Sequence, residues 1–185
     1  MQHKMTHQKP EILRTSIVAE SRLFKVESVA LRFSNGVERT YERMKGGGYG
    51  AVMMVPIDAD DNLILIREYA VGTENYELGF PKGAIDKGET ALAAANRELM
   101  EEVGVGAKTL TLLKEVNLAP SYFSARMQIY LAQDLYPESC EGDEPEPLEI
   151  IKWPLARANE LLDNDEITES RAICALLLAL KQLDK

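Results

Sequence analysis

The chain has 185 residues, with 30 acidic against 21 basic side chains and a formal net charge of −9. That balance argues against extended nucleic acid as a partner, because no basic stripe is present to neutralise a row of phosphates. Hydrophobic residues make up 45% of the chain, yet no apolar run approaches the roughly 18 residues that a membrane-spanning helix needs.

Pro10 to Glu20 mixes Ile12, Leu13, Ile17 and Val18 with polar residues and reads as an edge strand. Phe24 to Phe33 carries apolar residues at alternate positions, and Val37 to Met44 follows after Ser34-Asn35-Gly36. Asn-Gly between two such runs is a hairpin signal, since both residues tolerate positive φ. Lys45-Gly46-Gly47-Gly48 then reads as a hinge. Residues 1–48 are therefore expected to form a small β unit, too thin to stand alone, ahead of a main domain over 49–185.

Ala51 to Ile57 is a nearly continuous apolar run suited to a buried strand, with Leu63 to Ile66 expected as its return partner. Tyr76-Glu77-Leu78 is a short strand ending at Gly79. Thr90 to Val103 reads as a helix: Leu92, Ala95, Leu99 and Val103 recur at helical spacing, and Gly104 suits a left-handed C-terminal position. Leu110 to Leu118 and Met127 to Ala132 are strand candidates. An acidic, proline-bearing loop from Pro137 to Pro147 precedes a last strand, Ile150 to Trp153. Leu155 to Leu162 and Ile167 to Leu183 are amphipathic and expected to be helices covering the sheet. The pattern predicts an α+β layered domain with a mixed sheet.

Cys140 and Cys174 lack the paired spacing of a zinc site and read as reduced bystander thiols. His3 and His7 lie in a polar leader and are given no role as ligands. That leader has no apolar centre of a secretory signal, which predicts a cytoplasmic protein.

The predicted helix carries the chemistry. Glu98, Glu101 and Glu102 stand in i, i+3 and i+4 relation and so share one face. Ala91 and Ala94 lie on the same face one and two turns earlier and are expected to leave open space beside the carboxylates. Like charges at this spacing repel by a few tenths of a kcal/mol per pair in water. A hard divalent cation reverses the sign of that repulsion, and magnesium takes a few carboxylates together with substrate phosphates. Three glutamates alone favour a merely solvated acidic face over a site.

The surrounding residues decide between the two. Gly83, Glu89, Arg97, Glu98, Leu99, Glu101, Glu102, Gly104 and Val105 match the fixed positions of the Nudix box. A chance match at one register is on the order of one in a billion at average residue frequencies. The chain thus resembles the Nudix hydrolases, and the resemblance implies an α/β/α sandwich with a mixed sheet, here preceded by a small antiparallel β unit. It implies magnesium-dependent cleavage of a pyrophosphate bond, with manganese as a substitute and two or more ions. Glu98, Glu101 and Glu102 would be the metal ligands, Glu89 would orient the box near Arg97, Arg97 would act as a structural ion-pair partner, and Gly83 would be a backbone necessity. A backbone carbonyl near Lys82–Gly83 would complete the metal shell.

Other segments bear on the substrate. Pro120, fifteen positions after Val105, resembles a proline shared by family members that act on ADP-ribose. Arg67-Glu68-Tyr69 and Tyr76-Glu77-Leu78 resemble the approach to the box in ADP-sugar hydrolases. There Arg67 would bind a substrate phosphate and Glu77 the ribose or adenine, with surface ion pairs as the alternative. Ala119 to Ser124 and Glu141 to Pro147 extend the likeness to bacterial family members that hydrolyse ADP compounds. It implies ADP-ribose, NADH and diadenosine oligophosphates as substrates, and a homodimer whose first β unit forms part of the interface and the substrate pocket. Glu144 is favoured over Asp143 and Glu146 as the general base, against a merely solvated acidic turn. Tyr122 or Phe123 could stack on adenine or belong to the core. The alternatives are another ADP-sugar or dinucleotide pyrophosphatase, or a non-catalytic module that senses ADP-ribose.

Overall fold

A computed structural model of the chain describes residues 8–163, 165 and 167–184. His3 and His7 lie outside the described residues. The backbone divides into two compact units, one of residues up to Gly48 together with Asn117–Ala125, the other of Tyr49–Val116 and Arg126 onward.

The first unit is a three-stranded antiparallel sheet of β1 (Glu11–Glu20), β2 (Lys25–Arg32) and β3 (Glu38–Met44), with β2 in the centre. The β2–β3 turn is the hairpin that Asn-Gly signals. Only Gly36 adopts positive φ, +81°. Asn35 instead accepts a hydrogen bond from Val37 N through its side chain at 3.1 Å, and Phe33 N donates to Val37 O at 2.9 Å. The result is a three-residue loop closed by a left-handed glycine. Asn117–Ala125 joins this unit through backbone bonds, Met44 N to Tyr122 O at 2.7 Å and Ser124 N to Met44 O at 3.2 Å. Glu27, buried on β2, is held by Arg43 Nε at 3.0 Å and Lys45 Nζ at 3.1 Å.

The second unit is an α+β sandwich. One sheet runs β7 (Lys82–Ala84), β4 (Ala51–Pro56), β9 (Arg126–Pro137), β8 (Val105–Asn117), with β4 and β9 parallel. The other runs β10 (Glu149–Pro154), β5 (Asn62–Ala70), β6 (Asn75–Gly79). Strand β4 is apolar on both faces because it is covered on both: helix α1 (Ala91–Glu102) and helix α2 (Ser170–Gln182) both pack against it. Successive side chains alternate across a strand, so Val52 and Met54 join Ala94, Ala95 and Leu99 of α1 in one core cluster, while Met53 and Val55 are as completely buried on the opposite side.

Leu63 to Ile66 is not the return partner of Ala51 to Ile57: the two meet only at the bridge Ile57↔Leu63 and then enter different sheets. Apolar residues on both faces of each strand are satisfied by two layers, which a single hairpin cannot supply. Leu155–Leu162 is a 3₁₀ helix. Leu92 is half-exposed, and Ala94 is fully buried, so the open space beside the carboxylates is bordered by neither Ala91 nor Ala94. The buried stripe of α1 is rotated toward Ala94 and Ala95, where small side chains let the helix approach β4 closely. No helix among the described residues is long and apolar enough to cross a membrane.

The β4–β5 turn is built on Asp58. Its Oδ1 accepts from Asp60 N at 3.0 Å, Asn62 N at 2.9 Å and Asn62 Nδ2 at 3.1 Å, and its Oδ2 takes Lys152 Nζ at 2.8 Å. Burial alone would raise this carboxyl, but the hydrogen bonds from Lys152, Asn62 and Asp60 outweigh it and bring the pKa from 3.8 to about 2. A folded pKa below the unfolded one adds stability above the unfolded value, and that stability is lost as pH falls through the folded value. Asp58→Ala is therefore expected to cost roughly 1–3 kcal/mol at neutral pH, with the difference from the parent shrinking between about pH 4 and pH 2. Denaturant unfolding across that pH range measures both.

Candidate active site

The helix that carries the three glutamates is set by its ends. Thr90 caps the N-terminus, its hydroxyl accepting from Ala93 N at 3.2 Å. Gly104, at φ +72°, turns the chain away beyond the C-terminus. Leu99 is fully buried in the core shared with β4, which fixes the rotation of α1 and presses Glu98 and Glu102 against β7.

Both carboxylates are buried, with relative exposures of 9% and 8%. Glu102 Oε2 accepts the backbone N–H of Lys82 at 2.9 Å. Glu98 lies so close to Gly83 that a Cβ there would come within 1.9 Å of its carboxyl carbon. Gly83 is thus the one residue type that leaves room for the carboxylate. Burial pushes the Glu102 pKa up to about 8 despite the Lys82 N–H, and burial likewise raises Glu98 despite the neighbouring Arg97.

Arg97 is the hub of the loop before the helix. Its Nε and Nη2 reach the two oxygens of Glu89 at 3.1 and 3.2 Å, and Nη2 also donates to Ala84 O at 3.0 Å. Its Nη1 spans Glu98 Oε1 at 2.8 Å and Glu101 Oε2 at 2.7 Å. Hydrogen bonding to Glu89 first, and the charges of Glu98 and Glu101 after it, raise the guanidinium further above its ordinary value, while Arg97 lowers Glu89. Glu89 also closes its own loop, accepting from Asp86 N at 3.2 Å beside Gly88 at φ +88°.

Glu98, Glu101 and Glu102 line a cleft of about 570 Å³ with Glu68, Lys82, Gly83, Arg97 and Arg171, closed on another side by Glu141 to Glu144. Glu144 carries a raised pKa from burial, then from the charges of Glu68 and Asp143. Lys82 pairs with Glu68, and Arg171 with Glu169. A second cleft of about 590 Å³ shares Glu68 and Glu144 with the first and is bordered by Arg67, Tyr69, Tyr76 and Pro145 to Glu149. Tyr69 and Tyr76 meet edge to face at 5.4 Å, and Tyr76 donates to Glu146 Oε1 at 2.5 Å.

The expected site residues divide accordingly. The cleft gathers Glu98, Glu101, Glu102, Arg97, Gly83 and Glu144. Arg67 borders the second cleft and pairs with Glu149 at 3.1 Å. Glu77 lies on β6, where it accepts from Thr168 Oγ1 at 3.2 Å and lines a side cavity of about 150 Å³ that also contains Lys82, Glu68 and Arg171. Tyr122 is exposed on the first unit, and Phe123 and Pro120 line an apolar groove of that same unit. Sequence reasoning missed the Lys82–Glu68 pair and Arg171. Glu68 and Lys82 stood inside quoted segments without a role, and Arg171 begins a helix that was read only as cover for the sheet.

As they stand, no three His, Cys, Asp or Glu side chains among the described residues are gathered closely enough to hold a metal ion. The Arg97 guanidinium lies between Glu98 and Glu101 in the position of a cation. The donor set still fits a hard divalent ion: oxygen-only, acidic, desolvated, and facing a cavity with room for phosphates. A cation entering here would compete with Arg97 for Glu98 and Glu101.

Family models and proteins of known description match most of the chain. The NUDIX domain model matches residues 49–176. The chain belongs to the Nudix hydrolase family. The model of the NudE-type Nudix hydrolase N-terminal domain matches residues 10–43. Over 171 residues this Nudix hydrolase is 63% identical to the ADP compounds hydrolase NudE of Escherichia coli (strain K12), covering 92% of this chain and 91% of that one. It is 29% identical over 129 residues to an ADP-ribose pyrophosphatase of Bacillus subtilis (strain 168), covering 69% and 70% of the two chains. The crystal structure of an ADP compounds hydrolase superposes with a TM-score of 0.92 at 61% identity, covering 97% of this chain and 96% of that one.

Because the obstacle at position 83 is the end of a flexible side chain, Gly83→Ala in this Nudix enzyme is expected to displace Glu98 and leave the fold standing. Hydrolytic turnover should fall by about 100-fold, the scale of a 1 Å misplacement at a reacting centre, with a thermal midpoint close to that of the parent. Steady-state kinetics beside a thermal melt separate the two effects.

Proposed function

We propose that the chain hydrolyses the pyrophosphate bond of ADP compounds, namely ADP-ribose, NADH and diadenosine oligophosphates such as diadenosine triphosphate, and releases AMP. The observation that carries this reading is the cleft in which buried α1 carboxylates face the acidic loop Glu141–Glu144. Likeness along the chain to an ADP compounds hydrolase supports the substrate class.

In this reading Glu98, Glu101 and Glu102 hold two or more magnesium ions, with manganese able to replace them. Bound there, divalent ions neutralise charge on the pyrophosphate and help supply a nucleophilic water. Arg97, tied to Glu89 and Ala84 O, keeps Glu98 and Glu101 in register. Glu144 removes the proton as water adds to one phosphorus; burial and acidic neighbours raise its proton affinity, which brings it nearer the range in which a general base works. The bond from that phosphorus to the bridging oxygen breaks, leaving AMP and, from ADP-ribose, ribose 5-phosphate. Arg67 and Glu77 are assigned to the substrate's phosphate and to its ribose or adenine, and Tyr122 to stacking on adenine. Residues 1–48 are assigned to a homodimer interface and to the substrate pocket. In support, β1 is exposed along its whole length and bears Ile12, Leu13, Ile17 and Val18. Light scattering that finds a monomer at micromolar concentration would remove the dimer assignment.

A substrate panel with product identification tests the main reading. AMP should appear from ADP-ribose, NADH and diadenosine triphosphate, and chelation of divalent ions should stop it. Release from none of the three overturns the reading, and release from ADP-ribose alone narrows it to an ADP-sugar pyrophosphatase. Glu102→Gln should lower kcat by more than about 100-fold, and near-normal turnover at saturating magnesium would contradict its role as a ligand. Glu144→Gln should cost about 100-fold. A loss below tenfold would move the base to Asp143 or Glu146.

A further inference from the structure

The carboxylate cleft has three cations on its wall, and they are committed very differently. Arg97 spends its guanidinium on Glu89, Glu98, Glu101 and Ala84 O. Lys82 is paired with Glu68, itself a wall residue. Arg171 is bonded through Nε to Glu169, the N-cap of its own helix, and Glu169 does not line the carboxylate cleft. Among the described residues the terminal guanidinium nitrogens of Arg171 make no hydrogen bond, and the side chain is about one-third exposed.

The position of Arg171 is unfavourable for helix stability. It is the second residue of α2, where the helix dipole repels a cation. Glu169 offsets that repulsion by accepting both the backbone N–H and Nε of Arg171. What the arrangement produces is a planar, permanently charged fork on the border between the carboxylate cleft and the 150 Å³ side cavity. Such a fork matches two oxygens of one phosphate, which a lysine cannot do.

We propose that Arg171 is a phosphate-binding residue of this cleft, its terminal nitrogens taking pyrophosphate oxygens on the side of the substrate away from the α1 carboxylates. The assignment rests on the cleft being the place where a pyrophosphate group binds, as set out above. It adds to a wall otherwise rich in carboxylates a cation whose terminal nitrogens are uncommitted among the described residues. It also gives α2, which packs against β4 far along the chain from the box, a direct part in recognition.

The test uses inorganic pyrophosphate with magnesium as the probe, bound to the full chain and followed by calorimetry, with ADP-ribose turnover measured alongside. Arg171→Ala should weaken pyrophosphate binding by about tenfold or more, the scale of a lost charged hydrogen bond. It should lower kcat/KM for ADP-ribose by a similar factor. Arg171→Lys should restore part of the binding, since it keeps the charge and loses the fork. Thermal midpoints of both variants report any loss of folding, so a drop in pyrophosphate affinity at unchanged midpoint marks a ligand contact. Equal affinity in parent and Arg171→Ala overturns the proposal, as does a parent that binds no pyrophosphate. A parent that binds pyrophosphate through Arg171 but releases no AMP would keep this proposal and reject the choice of ADP compounds.

Discussion

Burying Glu98 and Glu102 is the constraint on which the second unit is organised. A carboxylate taken out of water without full compensation is costly, and here two are buried within one helical turn. The compensation is partial: one backbone N–H from Lys82 for Glu102 and one arm of Arg97 for Glu98. The rest of the cost is carried by packing. Ala94, Ala95 and Leu99 are fully buried against Val52 and Met54, and with Leu99 immediately after Glu98 the helix cannot rotate its acids into solvent without withdrawing its apolar stripe. The electrostatics of the site are therefore a consequence of the core, and β7 without a side chain at Gly83 is what lets the two coexist.

Arg97 turns that constraint into a defined geometry. A single guanidinium with five donors contacts the loop through Glu89 and Ala84 O and the helix through Glu98 and Glu101. The loop can present Glu89 to it because Gly88 takes a positive φ that reverses the chain just before Thr90 caps the helix. Loop, cap and helix are thereby tied together by one side chain, and Arg97 stands where an incoming cation would have to displace it from Glu98 and Glu101.

Much of this could be read from residues alone, and the exceptions have physical causes. The α1 helix was legible because apolar spacing and the glycine after its end are local features, and the acidic face follows from the same spacing. The rotation of its buried stripe was not legible: Leu92 looked like a core residue and is half-exposed, because alanine packs closer to β4 than leucine allows. The separation of β4 and β5 into two sheets was invisible, since a continuous apolar run states that both faces are covered and not by what. β7 has three residues and exists only through its pairing with β4. Arg171 left no sign because its importance comes from where α2 begins in space, a tertiary fact with no pattern in the neighbouring sequence.

The acidic loop shows how the same helix governs the other wall of the cleft. Glu138 N donates to Gly104 O and Cys140 N to Met100 O, each at 3.3 Å, so the loop begins by docking on the C-terminal end of α1. Gly142 continues that approach, since a Cβ there would come within 3.3 Å of Glu101 Cβ. Beyond Glu144 the loop is tied elsewhere, through Glu146 to Tyr76 on β6. Asp143 and Glu144 are thus suspended between two anchors, one on α1 and one on the opposite sheet, and neither can relax its repulsion from Glu68 or Glu98 by moving away alone. An acidic loop held against an acidic helix is unfavourable by itself and becomes favourable once positive charge enters between them. The fold therefore holds two acidic walls across one cleft, so that positive charge entering between them relieves the repulsion of both.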